Sequence, residues 1–170
     1  MGVEEQGDGV RARLVVREIK KRKTAEEKLE PSDVFSAMPP VESLKALVSH
    51  VMTERVDKRG RKLALAVFDV SRAHFYGVCE RDVYVQPPPE LHRPGYVAKL
   101  KKTMYGTQDA SNAWQRQWGE QLSNKGYTLG ASNPSRFRSE LLNGFCHGDD
   151  FMVAAAEDQI ELFGQALKEK

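Results

Sequence analysis

Residues Gly144–Ala156, GFCHGDDFMVAAA, set two carboxylates, Asp149 and Asp150, side by side between two apolar runs. Neighbouring carboxylates repel, so the pair costs stability unless a cation or hydrogen-bond donors neutralise it. A divalent metal ion would do that. A solvated hairpin tip is the competing reading, because Gly and Asp both favour turns with unusual backbone angles. A third acid, Asp69, closes the apolar run KLALAVFDV, 80 residues before Asp149. If a sheet brings that strand end beside the hairpin tip, three hard oxygen donors converge. That donor set suits Mg2+, which completes its shell with waters and substrate phosphates. Two such ions, with Mn2+ as a substitute, would activate an attacking hydroxyl and stabilise the leaving oxygen of a phosphoryl displacement. Nucleotidyl transfer, nucleic-acid cleavage and phosphate-ester hydrolysis all fit at this level.

The elements around these acids can be read from pattern. KLALAVFDV, nearly all apolar, predicts a central strand with Asp69 at its C-terminal end. LLNGFCHGDDFMVAAA predicts two short strands about a tight turn. RLVVREI (Arg13–Ile19) has the β-branched content and length of a strand, and DVYVQ and the start of YVAKLKKTMYG read likewise. Three helices are predicted. PPVESLKALVSHVMTERV carries Val41, Leu44, Val48, Val51 and Met52 on one face. DASNAWQRQWGEQLSNKG is capped by Asp109 or Ser111 and closed by Gly126. EDQIELFGQALKEK sets Ile160, Phe163 and Leu167 on one side, with acids first and lysines last, as the helix dipole favours. Together these predict an α+β domain, an antiparallel or mixed sheet with helices packed on one face. The last helix reaches Lys170 without a stop signal, so a longer protein is expected to continue there.

The totals are permissive. The chain has 170 residues, long enough for one domain, and 40% hydrophobic content is enough for a core. Lys and Arg number 26 against 24 acids, a net of +2, so the molecule is not a polycation. Basic residues are nonetheless dense in VRARLVVREIKKRK (Val10–Lys23), whereas Ala25–Asp33 is acidic. Such a block could follow a phosphate backbone, or be a solvated, salt-bridged surface. Cys79 and Cys146, 67 residues apart, form neither a disulfide framework nor a zinc spacing. No stretch approaches the roughly 18 apolar residues of a membrane span, and no apolar signal core opens the chain. An intracellular protein, cytoplasmic or nuclear and not secreted, is expected.

Three blocks taken together, AVFDVSRAHFYGVCERDVYVQPP, AKLKKTMYGTQDASNAW and HGDDFMVAA, resemble the reverse transcriptase of copia-type LTR retrotransposons. That family reads a strand ending in Asp-Val, then Ala-Phe, a Gly and a Glu-x-Val-Tyr-Met-x-x-Pro tail; then Leu-Lys-Lys-x-Leu-Tyr-Gly with a later Trp; then Tyr-Val-Asp-Asp. Gly77 stands eight residues after Asp69, and Trp114 eight after Gly106, as the family spaces them. RARLVVREIK is similar to its Lys-Ala-Arg-Leu-Val-x-Arg-Gly block. The resemblance implies the fingers and palm of a right-hand polymerase over residues 10–170, after a polar leader at 1–9, with the thumb and RNase H domain absent. It implies RNA-directed DNA polymerase activity on an RNA or DNA template with primer, using dNTPs, inside a retrotransposon polyprotein. Asp69 and Asp149 would then be ligands of two Mg2+ ions, with Asp150 adding charge. Arg11, Arg13 and Arg17 would neutralise the triphosphate, which the backbone at Val70 would also face. Tyr105 and Gly106 would support the templating base and the nucleotide. Trp114 fits the core of its helix better than a ligand contact.

The chain departs from the family at three places. His147-Gly148 stands for the primer-proximal Tyr-Val. His74 stands for the aromatic that excludes a ribose 2′-hydroxyl. Thr107-Gln108-Asp109 stands for Leu-Lys-Gln and sets an acid near the expected triphosphate, unless Asp109 caps the helix. A catalytically inactive remnant that keeps the fold and a nucleic-acid surface is therefore the alternative function.

Overall fold

The computed structural model describes residues 2–6, 9–18 and 29–168. Ile19, Lys20–Lys23, the 25–28 part of the acidic segment and the last two residues of the final predicted helix lie outside them. The chain divides into two units, Met1–Phe35 with Ala73–Gln117, and Ser36–Arg72 with Trp118–Lys170.

The second unit is built on a five-stranded antiparallel sheet. Its strands are β3 (Leu63–Asp69), β6 (Thr128–Leu129), β7 (Arg136–Arg138), β8 (Leu142–His147) and β9 (Asp150–Ala156), in the order β3-β9-β8-β7-β6. The apolar run predicted to be central is thus an edge strand among the described residues, paired with β9. Side chains alternate between faces, and the register assigns them. Phe68, Phe151 and Phe137 share one face. Against it lies helix α4 (Glu157–Lys168), whose Phe163 is fully buried. The Phe163 ring stacks on Phe137 at 5.4 Å and meets Phe68, Tyr127 and Phe151 edge-on at 5.6–5.9 Å. Trp118, near the middle of helix α3 (Ala110–Asn124), joins this aromatic layer. Gly144 has no room for a side chain here, since a Cβ would come 2.6 Å from the Phe137 ring.

Helix α2 (Val41–Glu54) covers the other face, so helices occupy both faces rather than one. It seats Leu47 against Phe145 and Ala154, with Val51 and Met152 beside them. The stripe predicted as its buried face is only grazed: Val41 and Met52 remain 62% and 68% exposed, and Leu44 and Val48 are exposed as well. At 100° per residue, Leu47 and Val51 form the flank of that stripe. The flank, not the centre, meets the sheet.

The first unit contains β1 (Gly2–Gln6) paired antiparallel with β2 (Gly9–Arg13), the one-turn helix α1 (Pro31–Val34), and β4 (Tyr84–Val85) paired with β5 (Ala98–Lys99). The strand predicted over Arg13–Ile19 lies earlier than its β-branched residues: β2 ends at Arg13, and Leu14–Glu18 run on without a ladder. The leader expected at 1–9 supplies the partner strand β1. Helix α3 starts directly after Asp109 and closes at Gly126, whose φ of +84° suits glycine. Trp114 is buried against Tyr76, the core position its spacing predicts.

Candidate functional site

The hairpin β8–β9 turns on two residues, Gly148 and Asp149, between the paired His147 and Asp150. Gly148 has a φ of +66°, whereas Asp149 is not among the residues of positive φ. Positive φ at the first central position only is the pattern of a type II′ turn, which matches the twist of the strands it joins. The Gly-Asp hairpin expected on turn chemistry therefore forms, and it delivers Asp150 as the first residue of β9.

Register then sets the acids. Asp69 pairs with Asp150, and the Val70 N–H donates to the Asp149 carbonyl at 2.9 Å. That bond makes 70 with 149 a hydrogen-bonded pair and 69 with 150 the closer, non-hydrogen-bonded kind, in which facing side chains approach most nearly. Because His147 pairs with Asp150 in turn, one row across three strands reads His147, Asp150, Asp69. All three are exposed.

Asp149 is placed differently. It is half-buried, and its neighbour Cys146 is buried on the aromatic face, its thiol donating to the Gly148 carbonyl at 3.4 Å. Burial, and then the charges of Asp149 and Asp150 in that order, push the Cys146 thiol well above the ordinary range. The three carboxylates thus meet at one end of the sheet without converging, and among the described residues no group of three or more His, Cys, Asp or Glu is gathered to hold a metal ion. The register sets Asp150, not Asp149, across from Asp69. Two exposed carboxylates open to water and phosphate nevertheless suit Mg2+ in donor chemistry.

The other predicted residues lie in the first unit. Arg11 and Arg13 stand on β2, in register with Glu4 and Gly2. Arg17 is exposed and borders an apolar cavity of about 750 Å3 formed with Val16, Tyr84, Leu91 and Met104. The His74 ring lies 4.7 Å from that of Tyr105, and its Nε2 is 3.3 Å from the Ser111 hydroxyl. Phe75 meets the Tyr105 ring at 5.8 Å. Tyr105 accepts the Val16 N–H at 2.8 Å, and Gly106, at φ +92°, leaves Val16 room that a Cβ would take, 1.9 Å from its carbonyl oxygen. His74, Tyr105 and Gly106 are therefore one cluster, with the Val16 backbone against it.

Asp109 does not stand free. The Arg81 guanidinium donates to both its oxygens at 2.8 and 2.9 Å, and to both oxygens of Glu18 at 2.7 Å. Glu18 also accepts the Gln108 N–H at 2.8 Å. Burial acts to raise the Asp109 carboxyl, but the bonds and charge of Arg81 outweigh it and hold the group below the usual range. This ion cluster was not visible in the sequence, where its members are separated by 63 and 28 positions. The one signal was the acid itself, set close before a helix.

Over 80 residues the chain is 34% identical to the retrovirus-related Pol polyprotein from transposon RE1 of Arabidopsis thaliana, covering 45% of this chain and 6% of that polyprotein. The Pol polyprotein from transposon RE2 of the same plant is 31% identical over 80 residues, again 45% of this chain and 6% of the polyprotein. No family model matches the chain. No solved structure matches it. The chain spans about 6% of the length of these relatives, and it is similar to a segment of retrotransposon Pol polyproteins.

Proposed function

We propose that the chain is the fingers and palm segment of a copia-type reverse transcriptase, an RNA-directed DNA polymerase that adds dNTPs to a primer 3′-hydroxyl. The observation that carries the proposal is the register of β3 on β9, which sets Asp69 across from Asp150 beside the Asp149 turn. The similarity to Pol polyproteins supports it independently.

In this reading Asp69 and Asp150, with Asp149 as a third donor, hold Mg2+, which when bound favours hydroxyl attack on a phosphate and stabilises the oxygen that leaves. The Val70 bond to Asp149 fixes the strand end against the turn, so the two acids keep their spacing. His147, in the primer-proximal position, extends the row as an imidazole. His74 and Tyr105 lie together, next to Gly106, and the resemblance gives these residues the nucleotide, with His74 in the position that excludes a ribose 2′-hydroxyl. By the same resemblance, Arg11, Arg13 and Arg17 would neutralise the triphosphate.

Primer extension on poly(rA)/oligo(dT) with Mg2+ or Mn2+, comparing the chain with Asp69→Asn, tests this. Extension by the parent and none by the variant is expected. A second reading, an inactive remnant that keeps the fold, is favoured by the spread of the three carboxylates. Extension by neither protein, with Mn2+ binding retained, would establish it in place of the first.

A further inference from the structure

The face of the sheet that carries Asp69, Asp150 and His147 continues away from them in a second row. Register adds Val67, Met152, Phe145 and, on β7, Arg136. Where α2 crosses this row it leaves a cavity of about 210 Å3, bordered by Ser43 and His50 of the helix and by Arg136 and Asn143 of the sheet. Among the described residues no carboxylate lines it. Arg61, Arg81 and Arg116 are each paired with acids, whereas Arg136 has no side-chain partner among the described residues. The same holds for the side chains of Ser43, His50 and Asn143. Four donors thus border one open cavity around an unneutralised guanidinium, a composition that suits a phosphate oxygen.

Position says which phosphate. Arg136 lies two strands and one row from Asp150. With strands about 4.8 Å apart and alternate residues about 6.8 Å apart, that is roughly 12 Å along the same face. A free dNTP reacting at the acids would not span this, but a strand whose end lies at the acids would. We propose that the α2–β7–β8 groove binds a backbone phosphodiester of a nucleic-acid strand, a nucleotide or two from the acid row. The proposal rests on the polymerase reading for the strand's direction and on the groove alone for the contact.

Fluorescence anisotropy of a labelled single-stranded oligonucleotide with the full chain, in EDTA so that the acids hold no metal, measures the contact. Arg136→Gln is expected to weaken binding about fivefold to tenfold and to lower the slope of log affinity against log salt by about one. Arg136→Lys is expected to restore most of both. Asp69→Asn, which abolishes extension in the polymerase reading, removes a negative charge beside the strand end and is expected not to weaken this binding, so the two proposals fail separately. Unchanged affinity and slope in Arg136→Gln, or no binding by the parent, would overturn the groove assignment. Displacement of the oligonucleotide by equimolar inorganic phosphate or dNTP would overturn the strand as its ligand.

Discussion

Gly148 shows how one residue sets the geometry of the acids. At φ +66° an L side chain is strained, and the related pattern has Val there. Gly148→Val should therefore cost about 1–3 kcal/mol, read as a lower urea midpoint with unchanged slope. An unaltered midpoint would mean that the turn adopts another form. The neighbouring acids make the opposite prediction. Asp69 and Asp150 face each other across a pair, where like charges destabilise by roughly 0.2–1 kcal/mol. Asp150→Asn should raise the melting temperature in EDTA and shrink the rise that Mg2+ gives, checked by calorimetry with and without the ion. A variant less stable in EDTA would show that Asp150 is held by a donor instead.

Ladders and helices were legible where sequence period and burial coincide. The β8–β9 hairpin, α3 with its Gly126 stop and α4 with Phe163 inward follow from turn chemistry and helical spacing. Less legible were choices that depend on a distant surface. That α2 would seat on Leu47 was decided by Phe145 and Ala154, about a hundred residues on. That Asp69 would face Asp150 was decided by register, and a slip of one residue would have moved it to the other face. The Arg81 cluster was illegible for the same reason, since ion pairs have no sequence period.

That cluster ties Glu18, Arg81 and the start of α3 together, and its removal should be costly. Arg81→Met leaves two poorly exposed carboxylates without their cation, a loss of about 3 kcal/mol. Its pH dependence has a definite sign. The Asp109 carboxyl lies below its unfolded value, so its contribution is complete above that value, near 3.8. It is lost as pH falls through the lower folded value. In the variant, burial and Glu18 both raise Asp109. The stability difference between parent and Arg81→Met should therefore be flat near neutrality and narrow through the acid range, beginning above the ordinary carboxylate value and ending below it. A difference that stays constant to pH 2 would show that packing of the arginine stem, not charge, carries the effect.

Over the whole molecule, charge is nearly balanced at +2, so the proposed binding to a polyanion would rest on local groups such as Arg136 rather than on net charge. Among the described residues no helix is long and apolar enough to cross a membrane.

The position of β3 at the sheet's edge also bears on how the chain is made. Its partner β9 begins 81 residues after Asp69. At translation rates of about 5–20 residues per second, LALAVF waits roughly 4–16 s for that partner. The run has no proline and no charge before Asp69, and both of its edges are open during the wait. Even once β9 has docked, Leu65 and Val67 remain exposed, and among the described residues no strand pairs with the other edge. A lysine at the solvent-facing position, Leu65→Lys, should raise the soluble fraction on expression without altering the aromatic layer on the opposite face. An unchanged soluble fraction would mean that nascent β3 is shielded before β9 is synthesised.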